Sequence, residues 1–408
     1  MPGRWIVPCT RPPRIRPLPG DPRLRPQLDG NATAPLLCKH PHPRQVAVAN
    51  ANLSQAKAAK NDEFYTQYGD IERELNAYLE YDPDVFRGRT VLLPCDDPEW
   101  SNFTRYFAQN FERLGLKKLI STSYAPDSKH VKEGQQPTLF EVESPKYDPA
   151  KTVTRGKIFT VTGDVSGDGR IDWNDVQWDY LDGDGDFRSP EVTALRDQAD
   201  VIVTNGPFSL FRAFLAWIVE ADKQFLILGN MNAITYKEVF PLIRDNRIWL
   251  GATGNGSDMV FAVPSGTVVK DADKAKAQRL GYDGNYTRLG NSCWFTNLDH
   301  GRRHQPIPLM TEADNVKFSR RKQVRGVGYR RHDNYDAIEV PFVEAIPSDH
   351  DGVMGVPISF LDKYAPEQFE IVGLDRYVED NPHPGRRFTV DGTETYARIL
   401  IRHRRSPG

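Results

Sequence analysis

The chain predicts an α/β protein built on a doubly wound sheet, and three observations carry that expectation. Short apolar runs at Thr90 to Cys95, Val201 to Val203 and Phe225 to Leu228 have the length of strands and are bounded by polar or turn residues. The first two lead into apolar residues at helical spacing: Phe103, Tyr106, Phe107 and Phe111, then Leu210, Phe211, Phe214, Leu215 and Ile218. All three finish in Asp or Asn, at Asp96, Asn205 and Asn230. Strand, helix and strand at these lengths give parallel neighbours joined by right-handed crossovers. Polar strand ends then share one sheet edge, and that edge is where open α/β sheets bind ligands.

In chain order, residues 1 to about 50 are dense in Pro and Arg, as in Arg11-Pro12-Pro13-Arg14-Ile15-Arg16-Pro17, with no hydrophobic period. Such a stretch buries too little apolar surface to fold, so a disordered extension, or translation upstream of the true start, is expected. Folded chain is expected from about residue 51, where an Ala-rich, helix-favouring stretch runs to Lys60. Ile71, Leu75, Tyr78 and Leu79 mark a helix, and Lys118 to Thr122 a strand that completes the first βαβ unit. Residues 125 to 157 are polar and turn-rich, an excursion before the strand Lys157 to Val161. An acidic insertion at about 162 to 180 precedes a helix from about Pro190. Residues 51–255 thus form the main domain. Beyond it, short strands at Met259 to Val263, Ser292 to Thr296, Glu339 to Val343, Phe369 to Val372 and Ala397 to Ile401 alternate with Gly-, Pro- and Asp-rich loops. Residues 256–408 read as the end of the sheet plus a loop-rich, mostly β region.

Bulk properties exclude several classes. With 408 residues, 39% hydrophobic, 26% charged and a net charge of -2, the chain lacks the basic excess that would advertise nucleic acid. A nucleic-acid partner must then be met by a local patch. Cys9, Cys38, Cys95 and Cys293 are far apart without metal-ligand spacing, which fits a reducing cytoplasm. No apolar run is long enough to span a bilayer.

The stretch Asn205-Gly206-Pro207-Phe208 places an amide, a backbone carbonyl and a ring face at a strand end. Two acceptors aimed at one exocyclic amine draw its lone pair out of conjugation, and a ring face stacks on a base taken out of a duplex. That suits methyl transfer to a nucleobase amino group. An ordinary strand-to-helix turn accounts for the same residues equally well.

Two other stretches carry chemistry. Arg320, Arg321, Lys322, Arg325, Arg330 and Arg331, interleaved with Gly326, Gly328 and Tyr329, fit a loop that contacts phosphates and bases, or a solvated face. Asp164, Ser166, Asp168, Asp172 and Asp175 have the spacing of a twelve-residue Ca2+ loop, with Gly169 sixth and Ile171 eighth. The twelfth position holds Asp rather than a bidentate Glu, no second complete copy follows, and a solvated acidic loop explains it as well.

Lys60 to Tyr68, Cys95 to Phe103, Gly183 to Ser189, Thr204 to Phe211, Gly229 to Glu238, Asp333 to Val340 and Asp351 to Pro357 carry a wider likeness. Together, from about Ala56 to Arg402, the chain resembles the EcoRI-type adenine-specific DNA methyltransferases. The resemblance implies a Rossmann-like fold that uses S-adenosyl-L-methionine and transfers its methyl group to adenine N6 in duplex DNA. It makes residues 51–255 the catalytic domain and gives target DNA recognition to the region beyond. A cytoplasmic monomer acting as the modification half of a restriction-modification system, beside a cognate restriction endonuclease, is the implied setting. By position, Phe64, Tyr65 and Thr66 look like the segment that lies against the methionine moiety. Asp96 and Asp97 occupy the cofactor-binding turn, without its usual glycines, and Asp186 and Phe187 resemble the pair that flanks the cofactor's adenine. Asn205, Gly206, Pro207 and Phe208 stand where the family has Asn-Pro-Pro-Phe.

Gly206 is the departure. Its carbonyl survives the substitution, so activity is expected to be retained, though slower from the loop's added freedom, and Gly206→Pro to leave it equal or raise it. Two rivals remain from other classes: a catalytically degenerate DNA-binding protein, and a Ca2+-dependent interaction protein built on the acidic loop.

Overall fold

Apolar runs without polar alternation belong to strands covered on both faces. In the computed structural model they sit at the centre of a ten-stranded mixed sheet. The structure describes residues 65–97, 101–125, 144–169, 171, 175–253, 255, 257–263, 268–378, 381 and 383–404. All fall within the second of the chain's two units, Gln55–Gly408. The expected extension, the Ala-rich helix, Phe64 and Asp172 lie outside the described residues. Among those residues no helix is long and apolar enough to cross a membrane.

The sheet comprises β1 (Tyr65–Thr66), β2 (Thr90–Leu93), β3 (Lys118–Thr122), β4 (Lys157–Val161), β5 (Gln177–Tyr180), β6 (Val201–Thr204), β7 (Gln224–Asn230), β8 (Trp249–Leu250), β9 (Ser257–Ala262) and β10 (Tyr286–Thr296). Its order is β1-β9-β10-β7-β6-β2-β3-β4-β5, with β8 beside β10. The four inner strands β7, β6, β2 and β3 are parallel. Both flanks are antiparallel.

Successive side chains of the inner strands enter opposite layers. Val91, Leu93, Leu119, Val201, Val203, Leu226 and Leu228 pack with helices α1 (Tyr68–Tyr81) and α2 (Asn102–Gln109). Leu92, Ile120, Ile202, Phe225 and Ile227 pack with α3 (Pro190–Gln198) and α4 (Phe211–Glu220). Every residue of β2 from Val91 onward, and Val201, Ile202 and Val203, is fully buried. Each such side chain contributes about 1.5–3 kcal/mol of burial, so the centre of the sheet is its most stable part.

A second, four-stranded sheet follows, of β11 (Ala337–Glu339), β12 (Val353–Pro357), β13 (Phe369–Leu374) and β16 (Arg398–His403), ordered β11-β12-β16-β13. A short hairpin of β14 (Thr389–Val390) and β15 (Thr393–Glu394) precedes its last strand. Ile338, Met354, Val356, Ile371, Ile399 and Ile401 join the same apolar core as α3 and α4. Three expectations need correction. The strand expected at Glu339 to Val343 begins at Ala337, and Val343 starts a 3-10 turn. Val353–Pro357 is a strand that sequence pattern did not suggest, and the end of the acidic insertion is edge strand β5.

Candidate active site

The chain passes from β2 to β3 on one side of β2, then returns to lay β6 on the other. Order reverses there, at the place where open α/β sheets form a ligand crevice outside the carboxyl ends of the strands, here β2 and β6. Asp96, three residues past β2, spans it: Oδ2 accepts from Thr204 Oγ1 at the end of β6 (2.5 Å), and Oδ1 from Ser101 Oγ (2.7 Å). Ser101 caps α2 by accepting from Phe103 N, and its own N–H donates to the Asp97 carbonyl (2.7 Å). Burial pushes the Asp96 carboxyl up to about 6, against the hydrogen bonds from Thr204, Ser101 and Asn205 N–H, which lower it.

Asn205, Gly206, Pro207 and Phe208 form the loop between β6 and α4, with a 3-10 turn over Phe208–Leu210. The half-buried Phe208 ring meets Phe261 edge-on, with centroids 6.4 Å apart. Phe261 lies in β9 and is registered against Thr66 of β1. Strand pairing thus gives the loop and the Tyr65-Thr66 segment a common neighbour.

Gly206 has a packing reason. A Cβ there would stand 2.9 Å from Cδ1 and Cε1 of Phe214. That ring is buried, edge-on to Phe187 (5.0 Å) and stacked on Trp217 (5.6 Å, 22°). Proline's Cβ at 206 would enter space that Phe214 fills, which sets a steric cost against the expectation that Gly206→Pro leaves activity equal or higher.

The expected cofactor residues other than Phe64 fall around the same edge. Thr66 is buried, its Oγ1 has no hydrogen-bond partner among the described residues, and its carbonyl accepts from Asn102 Nδ2 (2.8 Å). Asp97 follows Asp96 at the mouth of the turn. Gly185, at φ +85°, lies against the Ser123 carbonyl past β3 and brings Asp186 and Phe187 to that strand's end. Asp186 is engaged by Arg188, whose Nη2 donates to Oδ2 (2.6 Å), and the Phe187 ring is buried against Phe214 and Trp217. Sequence reasoning missed Ser101, Asn102, Thr204 and Phe261. Ser101 carries an N-cap signal, whereas Phe261 is placed only by strand register.

The basic run is partly neutralised. Arg321 lies 3.7 Å from Glu344 and over the Phe342 ring, Arg330 bonds Asp391 (2.6 Å), and Arg331 pairs with Asp336. Arg320, Lys322 and Arg325 are exposed and make no ion pair among the described residues. Val324 is buried and anchors the loop, whose turn is closed by Gly326 N donating to the Val316 carbonyl (2.8 Å).

In the acidic loop, Asp164 accepts from Gly167 N (2.6 Å) and Gly169 N (2.7 Å), which hold its carboxyl below the usual range. Asp175 Oδ1 accepts from Val165 N and Ser166 N, both at 2.8 Å. Among the described residues no group of three or more His, Cys, Asp or Glu is arranged to hold a metal ion.

Comparison with known proteins covers most of the chain. Residues 52–404 match the family model described as adenine-specific methyltransferase EcoRI. The chain is 40% identical over 357 residues to the Type II methyltransferase M.EcoRI of Escherichia coli, covering 87% of this chain and 97% of that protein. It is 32% identical over 368 residues to the Type II methyltransferase M.MpnI of Mycoplasma pneumoniae, covering 87% and 98%. No solved structure matches it. The chain belongs to the EcoRI family of adenine-specific methyltransferases.

Proposed function

We propose that this methyltransferase acts on duplex DNA, taking its methyl group from S-adenosyl-L-methionine and delivering it to N6 of an adenine flipped into the crevice between β2 and β6. The observation that carries this is the convergence of Thr66, Asp96-Asp97 and Asn205 to Phe208 at one point where strand order reverses. The sheet then works as a doubly wound, Rossmann-like methyltransferase platform, and the region past residue 256 supplies DNA recognition.

The residues present fit the cofactor. Thr66 offers a buried hydroxyl with bonding capacity to spare, and Tyr65, Asp97, Asp186 and Phe187 would line the rest of its seat. Bound S-adenosyl-L-methionine supplies an electrophilic methyl group. Asn205 and the carbonyl of Gly206 accept hydrogen bonds from the target amine, which draws its lone pair out of conjugation with the ring and toward the methyl group. Phe208 stacks on the flipped base, and Phe261 holds that ring edge-on. Arg320, Lys322 and Arg325 contact phosphates, and Arg321, Arg330 and Arg331 do so by exchanging their carboxylate partners. A cytoplasmic monomer protecting host DNA beside a cognate restriction endonuclease completes the proposal.

The test is incubation with labelled cofactor and duplex DNA of varied sequence, followed by nucleoside analysis. Label in N6-methyladenine, lost in Asn205→Ala, is expected. Folded protein that labels no adenine across a broad set of sequences refutes it.

A further inference from the structure

Asp96 is buried, yet no cation pairs with it among the described residues. Three donors from two other elements hold it: Ser101 Oγ at the start of α2, Thr204 Oγ1 at the end of β6, and the N–H of Asn205. Its backbone carbonyl accepts from Ser121 Oγ on β3 (2.7 Å). Beside Ser101, Asn102 reaches the Thr66 carbonyl. A single carboxylate therefore links the cofactor side of the crevice to the peptide that carries Asn205.

We propose that Asp96 is a positioning residue rather than a cofactor ligand, and that it sets Asn205 in register with α2 and Thr66. This rests on the functional assignment of the crevice given above. Both Asp96 oxygens are engaged by protein donors, so within this turn the role of facing a cofactor falls to Asp97. All three donors aim at Asp96, and the Asn205 N–H cannot reverse its role. An amide at 96 would turn an N–H toward O–H and N–H donors, and Thr204 would lose its hold on the loop. Positional tolerance in such a site is small: a displacement of about 1 Å costs about 100-fold in rate.

Protonation should act in the same way as the amide. Burial raises the Asp96 carboxyl most and Asp97, on the same turn, adds to it, while Thr204 and Ser101, facing it from β6 and α2, and the Asn205 N–H lower it. Turnover at saturating cofactor should fall as pH drops through about 6. Removing a donor to the charged form moves that inflection to higher pH.

The experiment measures kcat, cofactor KM and cofactor affinity by calorimetry for Asp96→Asn, Thr204→Val and Thr204→Ser. Expected are a kcat loss of about 10- to 100-fold for the first two, affinity within about threefold of wild type, rescue by Thr204→Ser, and an upward shift of the pH inflection in Thr204→Val. Should Asp96→Asn fail to fold, the Thr204 pair decides alone. Loss of cofactor affinity with kcat kept at saturation overturns the proposal, as does wild-type kcat in Thr204→Val. Wild-type protein that transfers no methyl group refutes the functional assignment instead.

Discussion

Gly206→Pro isolates the feature that sets the Asn205 to Phe208 loop apart. Non-bonded carbons settle at about 3.5–4.0 Å, and the new Cβ would begin 2.9 Å from two atoms of Phe214. The ring cannot swing away, because Phe187 and Trp217 close on it from two sides. Overpacking of this kind costs about 1–3 kcal/mol. If the core yields, that appears as lost stability; if the loop yields, Asn205 is displaced and kcat falls by about 10- to 100-fold. Thermal unfolding and single-turnover methylation of a duplex separate the two. In a double-mutant cycle with Phe214→Leu, the smaller side chain should recover at least about 1 kcal/mol of the combined loss. Wild-type kcat and Tm in Gly206→Pro would refute the reasoning.

Burial raises the Glu74 carboxyl from 4.5 to about 7, so its contribution to stability is fullest below pH 4.5 and is lost as pH rises through about 7. The Tm of Glu74→Gln minus that of wild type should therefore become more positive from about pH 5 to about pH 7, and a constant difference contradicts this. Replacing Arg320, Lys322 and Arg325 together by Gln should reduce the slope of log K for DNA against log salt by about 3, whereas Arg330→Gln should change it less, because Asp391 already holds that guanidinium. Thr66→Val should weaken S-adenosyl-L-methionine binding about 10-fold with little change in Tm, as the hydroxyl has no hydrogen bond among the described residues to lose. An unaltered cofactor affinity in Thr66→Val removes Thr66 from the seat.

The inner strands were legible because both faces of β2, β6 and β7 are buried, leaving polar residues only at their ends. β5 was not, since Gln177-Trp178-Asp179-Tyr180 alternates over only four residues at a sheet edge. β12 hides behind Gly355 and Pro357, which read as a turn. Gly355 is required there by packing, as a Cβ would stand 2.5 Å from His332 Nε2. The Asn205 loop announced itself through an abrupt strand stop. Its supports did not: Thr204 with Asp96, and Phe208 with Phe261, meet through register that no local pattern encodes. Charge in the 320–331 stretch was equally plain, but Glu344, Asp391 and Asp336, which offset half of it, arrive from other segments.

β16 follows β12 and β13 in the chain, yet it lies between them and pairs with both. A nascent chain that has emerged only to residue 397 holds two strands with a gap between them, and an apolar layer over α3 and α4 that lacks Ile399 and Ile401. Folding of this half must wait until β16 has cleared the ribosome. A product terminated before that strand exposes unpaired edges to proteases and chaperones.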